Sequence, residues 1–216
     1  MAGMIAQAPT TKKLSTTSYA ILGLLALRDW TTYELAQQME RGIGRMWAAS
    51  PSMVYAEPKH LVAQGYATMT ETPVGRRPRS RYSITDAGRA VLVAWLDATP
   101  AGPALQFEGL LKVLFADQGR DSTNTDVLAA IGSWAADAHA AASTRAQGYL
   151  DDDYIPGVDL ADRSVIVAQT LGFLAEFYDL LERWTSWATV LATSIDGPDA
   201  ARDAFTKIAN HQRLTQ

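Results

Sequence analysis

From Thr17 onward the apolar residues recur at three- and four-residue intervals, the spacing of helices with one buried face, except across 66–85, where short Thr- and Tyr-rich segments break that period. Thr17 or Ser18 is placed to cap a first helix carrying Ile21, Leu22, Leu24 and Leu25 and closing at Leu27. Thr31 or Thr32 caps a second, "TTYELAQQMERG", with Leu35, Ala36 and Met39 inward and Gly42 as its stop. A third helix opens at Ser50 with Pro51 in its first turn and ends at Gly65. Its inward positions are Val54, Leu61 and Val62; Ser52, Met53, Tyr55, Ala56 and Lys59 face outward. Pro58 deprives this helix of one hydrogen bond, at about 3 kcal/mol, so the helix is expected to bend there or end early. "YATMTET" and "SRYSI" then predict a hairpin with a long Pro/Gly/Arg tip.

Thr85 caps a fourth helix whose Val91, Leu92, Trp95 and Leu96 face inward, and "TPAGP" at 99–103 breaks it. Everything beyond reads as helix: "LQFEGLLKVLFADQ", a long segment over 126–150, a longer one over 161–194 and a short final one. The longest would reach roughly 50 Å, more than a small domain is wide. Its stripe of Val165, Ile166, Leu171, Leu174, Tyr178, Leu181, Trp184, Trp187, Ala188 and Leu191 is broad enough to call for a second subunit. Val165, Leu171, Leu174, Tyr178, Leu181 and Trp184 are the expected dimer contacts. The predicted organisation is a flexible arm over 1–16, a winged helix-turn-helix DNA-binding domain over 17–98, and a helical domain over 104–216 that would serve dimerisation and effector binding. The fold class is mainly α: a winged helix-turn-helix with a small β-hairpin wing, joined to an all-α domain.

Charge sharpens this division. Residues 1–98 hold eleven Lys and Arg against seven Asp and Glu, and residues 99–216 hold eight against sixteen, so a net +4 half precedes a net −8 half. In "TPVGRRPRSRYSIT" four arginines, Arg76, Arg77, Arg79 and Arg81, fall within six positions. On a hairpin that follows a helix-turn-helix pattern they are placed to clamp DNA phosphates, because guanidinium stays charged and forks onto phosphate oxygens. Ser50, Ser52, Met53, Tyr55 and Lys59 would meet the duplex from the third helix.

Other chemistry is sparse. The absence of cysteine excludes disulfides and thiolate chemistry. His60, His139 and His211 are scattered, and the three consecutive carboxylates at 151–153 lack the alternating spacing of a calcium loop. No enzyme, metal or cofactor is expected. No apolar run approaches the ~20 residues of a membrane span, and the start lacks the order of a secretion signal, so a cytoplasmic protein without a membrane partner is expected. Six tryptophans are many for this length. Trp134, Tyr178, Trp184 and Trp187 could line a site for an aromatic small molecule, and a dimeric carrier or sensor of such molecules without DNA binding is the alternative reading.

At "YAILGLLAL", "TYELAQQM", "SPSMVYAEPKHLVAQGYA" and "RRPRSRYSITDAGRAVLVAWL" the chain resembles the PadR family of transcriptional regulators. It departs from the family pattern at Thr32, where glycine is usual, and at Pro58, where an apolar residue is usual. The resemblance covers 17–98 by motif. It implies a homodimer joined through helical C-terminal domains, the 161–194 helix foremost, that binds short palindromic operators in double-stranded DNA and represses nearby genes until a small molecule releases it.

Overall fold

The structure is a computed structural model that describes residues 14–47, 49–74, 77–151, 163–195 and 197–214. The chain forms two compact units, Met1–Ala101 and Gly102–Gln216.

In the first unit α1 (Thr16–Leu27) begins one turn earlier than its sequence suggests. Ser15 is the N-cap, and Ser15 and Ser18 satisfy each other's backbone N–H groups in a capping box. Thr17 and Ser18, expected to cap, are buried instead. After a two-residue strand, β1 (Trp30–Thr31), Thr31 caps α2 (Thr32–Arg41) in a second capping box with Glu34. Gly42 ends α2 but the chain continues into a 3-10 turn, Ile43–Arg45. Ser50 caps α3 (Pro51–Ala63), which runs unbroken through Pro58. The proline ring is fully buried, so apolar packing offsets the missing hydrogen bond and the helix does not end early. Gly65 follows at φ 77°, a left-handed conformation that suits a residue without Cβ.

β2 (Ala67–Val74) and β3 (Arg77–Ile84) pair antiparallel from Ala67 opposite Ile84 to Val74 opposite Arg77. The strands therefore extend into the stretch expected to be a long loop. β1 adds an edge to β3, with Trp30 opposite Tyr82, giving the order β1-β3-β2. That third strand was not predicted; two residues are too few for a period to register.

Trp30, Tyr82, Ile21, Leu22, Leu25, Leu35 and Leu61 form the fully buried centre of this unit. Trp30 donates its indole N–H to the Leu24 carbonyl at 2.7 Å, and the Arg28 guanidinium lies 3.5 Å from its ring centre. Thr85 caps α4 (Asp86–Leu96) and ties it to the hairpin: its N–H donates to Tyr66 O at 3.1 Å and its hydroxyl to Gly65 O at 2.7 Å. Only the first half of α4 faces the core as expected. Leu92 is buried, but Leu96 is exposed and Trp95 stacks on Tyr19 with ring centres 4.8 Å apart.

The second unit is built on two long helices, α6 (Thr123–Leu150) and α7 (Ser164–Ala192). Ile131, Ala135, Ala138 and Ala142 on α6 meet Leu174, Tyr178, Leu181, Thr185 and Ala188 on α7. Alanines on one side let larger side chains on the other approach closely. His139 Nδ1 and Glu182 Oε1 cross this contact at 3.0 Å. Leu174, Tyr178 and Leu181, expected at a dimer interface, are thus taken up inside the chain; Val165 is exposed, and Leu171 and Trp184 are half-buried. A single-chain partner was available because the apolar faces of both helices follow the same seven-residue spacing.

By length and apolar composition α7 does suffice for a membrane span, contrary to the sequence expectation. It also carries Glu176, Asp179, Glu182 and Arg183, the second and last of which pair with each other. The short α5 (Glu108–Leu114) buries none of its own residues, although Gly109 lies close against Ile131. α8 (Gly197–Ala209) completes the unit.

Two substitutions test these contacts. A Cβ at Gly88 would lie 2.1 Å from the Tyr66 carbonyl oxygen, so Gly88→Ala should destabilise the first unit by about 1–3 kcal/mol in urea unfolding. Leu174→Ala should cost about 2–5 kcal/mol in the second unit, even under conditions where the protein is monomeric.

Candidate nucleic-acid interface

The start of α3 presents hydroxyls, an aromatic ring and a cation on one side. Ser50, Ser52, Met53, Tyr55 and Lys59 are all exposed, while Val54, Pro58 and Leu61 are buried on the opposite side. Ser50 Oγ accepts the Met53 N–H at 3.4 Å and lies 3.1 Å from the Ser52 hydroxyl, which orders the first turn. Two hydrogen bonds fix the helix to α1. The Ser18 hydroxyl donates to Glu57 Oε1, and the Trp47 indole N–H, just ahead of α3, donates to Thr17 Oγ1 at 3.0 Å.

Of the four hairpin arginines, the structure places two. Arg79 is exposed on β3. Arg81 is half-buried and donates to the Asp29 carbonyl at 3.2 Å, so it also ties β3 to the residues before β1. Arg76 and the side chain of Arg77 lie outside the described residues.

Sequence reasoning missed the ground beside these arginines. A cleft of about 560 Å³ is lined by Thr31, Thr32, Tyr33, Glu34, Arg79, Ser80 and Arg81. The signal was present in "TTYE", whose Thr-x-x-Glu spacing is that of a capping box. Glu34 Oε2 accepts both the N–H and the hydroxyl of Thr31 at 2.7 Å, and Oε1 accepts from Arg28 at 3.2 and 3.3 Å. Burial works to raise the Glu34 pKa, but the Thr31 hydrogen bonds and Arg28 outweigh it and hold the carboxyl below its usual value.

The four aromatics proposed for a ligand do not share one pocket. Trp134 meets Tyr178 edge to face at 5.7 Å, and Tyr178 is buried in the α6–α7 core, where no ligand reaches its ring without displacing that packing. Trp187 lines a separate cavity of about 150 Å³ with Val190, Leu191, Ala204 and Lys207, between α7 and α8. Trp184 is half-buried and lines neither this cavity nor the cleft on the first unit. Among the described residues no three His, Asp or Glu side chains gather as a metal site, and residues 152–162 lie outside them.

The depressed Glu34 pKa makes a pH-dependent contribution to stability. It is fully present above the ordinary glutamate value of 4.5 and is lost as pH falls through the lower folded value. Melting temperatures of the wild type and Glu34→Gln should therefore differ at pH 7 and converge only as pH falls through the lowered folded value of Glu34.

Comparison with known proteins agrees with this architecture. Residues 21–94 match the family described as "Transcriptional regulator PadR-like family". The negative transcriptional regulator PadR of Bacillus subtilis is 32% identical over 99 residues, a stretch spanning 45% of this chain and 54% of that regulator. The match thus covers about half of the relative's own length. In fold, the chain is similar to Bacillus subtilis PadR solved in complex with operator DNA, with a TM-score of 0.68 at 21% identity over 82% of this chain and 99% of that one. The same protein in complex with p-coumaric acid gives a TM-score of 0.57 at 20% identity over 84% and 99%. In residues 21–94 the chain carries the domain of the PadR-like family of transcriptional regulators.

Proposed function

We propose that this chain is a DNA-binding transcriptional regulator that acts as a homodimer on a palindromic operator, represses the adjacent gene, and is released by a small aromatic effector. The observation that carries the reading is the exposed start of α3, with Ser52, Tyr55 and Lys59 facing outward on the same unit as the arginine-bearing β3. A helix start offers side chains to base edges in the major groove, and an arginine-rich wing grips the neighbouring backbone. Bacillus subtilis PadR, which this chain resembles, has been seen with operator DNA and with p-coumaric acid. Those two complexes are what support DNA and an aromatic acid as partners here.

Dimerisation is supported by the face of α7 turned away from α6. Ile166, Phe173 and Leu180 recur at seven-residue intervals there and are 54, 67 and 51% exposed. Large apolar side chains repeated along one helix need a cover, and a second copy supplies an identical stripe. In a twofold dimer two winged units would meet half-sites about one DNA turn, roughly 34 Å, or a multiple of it apart. For the effector, the Trp187 cavity between α7 and α8 is the supporting feature.

Fluorescence anisotropy with duplex DNA from immediately upstream of the chain's own coding sequence tests the reading. Affinity should fall by about 0.9 log units per log unit of salt for each phosphate contact. Arg76→Ala, Arg77→Ala and Arg79→Ala together should abolish retention while sedimentation still reports a dimer. A carrier indifferent to DNA would be unchanged by them. Phe173→Glu with Leu180→Glu should yield a folded monomer with weakened operator binding. A dimer surviving that pair would reject this face of α7.

A further inference from the structure

We propose that the cavity between α7 and α8 binds a free aromatic α-amino acid of phenylalanine size, its ring seated against Trp187 and its ammonium and carboxylate taken by Asp203 and Lys207. The proposal deepens the effector reading above by giving that cavity a ligand chemistry, and it rests on that reading for the consequence of binding.

The cavity lies where two helix faces meet. Trp187, Val190 and Leu191 line it from α7, and Ala200, Asp203, Ala204 and Lys207 line it from α8. Both sets are spaced three and four residues apart, so each belongs to one side of its helix. α8 turns its large apolar side chains elsewhere: Phe205 and Ile208 are 70 and 54% exposed, and the apolar residues it brings to the cavity are alanines. Small side chains there leave about 150 Å³, a volume in which an apolar cavity takes a benzene ring.

Charge narrows the ligand class. Lys207 Nζ lies 3.0 Å from Asp203 Oδ2, and the two side chains are 41 and 65% exposed. An ion pair so open to water contributes little to stability, so a ligand separates it at little cost. A carboxylate ligand would gain Lys207 but be opposed by Asp203, and an amine would meet the reverse. An α-amino acid carries both charges on one carbon and offers each member of the pair its opposite. The Ser194 hydroxyl, in the same lining, is a further donor for the carboxylate. Trp187 also stands seven residues after Leu180, continuing the series Ile166, Phe173 and Leu180 assigned above to the second copy. A ring held on Trp187 therefore sits at the end of that face, which links the ligand to the dimer and so to operator binding.

Calorimetric titration of the full chain tests the site with three probes: L-phenylalanine, 3-phenylpropanoate, which lacks the ammonium, and 2-phenylethylamine, which lacks the carboxylate. L-phenylalanine should bind at least about tenfold more tightly than either. Asp203→Asn should remove its advantage over 3-phenylpropanoate, and Lys207→Met its advantage over 2-phenylethylamine. Melting temperatures of both variants should stay near the wild type, as expected for loss of an exposed pair. Glu176→Gln, on α7 outside the cavity lining, should leave all three affinities unchanged. Failure of all three probes to bind would overturn the site. Equal affinities for the three, or a selectivity that survives both cavity substitutions, would overturn the amino-acid assignment while the effector reading stands. A wild type that binds L-phenylalanine selectively yet holds its operator equally well with and without it would instead overturn the effector reading and keep the site.

Discussion

Two hydroxyls on the first helix hold α3 and the segment just before it in place. Ser18 donates to Glu57 in the middle of α3, and Thr17 accepts from Trp47 just before it. Thr17 and Ser18 are buried, so losing either partner would leave a buried hydroxyl unsatisfied. With Ser15 as the N-cap, Thr17 and Ser18 fall inside the first turn and face the core, and the Ser18 hydroxyl serves both the capping box and Glu57. The exposed serines, tyrosine and lysine of α3 inherit their orientation from this anchor.

The wing is held by a different set of contacts. Trp30 and Tyr82 face each other across β1 and β3, and Arg28 and Arg81 secure the segment between α1 and β1 from two directions. Arg28 lies over Trp30 and also pairs with Glu34, so the core tryptophan, the cap of α2 and a cation form one connected group. At the hairpin's other end, Gly88 lets α4 come within contact of the Tyr66 carbonyl, a distance any side chain would prevent.

The acidic second half solves another problem. α7 has more apolar surface than one neighbour can cover, and α6 takes only the side bearing Leu174, Tyr178 and Leu181. The remaining stripe through Phe173 is what a homodimeric reading needs, and the same excess explains why α7 is apolar enough to resemble a membrane span. Acidic residues between the apolar positions keep the rest of its surface polar.

The helices, the hairpin and the break near residue 100 were legible in the sequence because each depends on local spacing, caps and glycine or proline chemistry. The outward side of α3 was legible for the same reason, since a helix of known start has only one set of inward positions. Which apolar stripe meets which was not legible: Leu174 and Tyr178 suit a partner subunit as well as they suit α6, and only the folded chain, by bringing Ala138 and Ala142 opposite them, decided it. The two-residue β1, the continuation of α3 through Pro58 and the cleft at Tyr33 were likewise decided by tertiary structure. Each depends on contacts between residues far apart in the chain, and periodicity carries no record of such contacts.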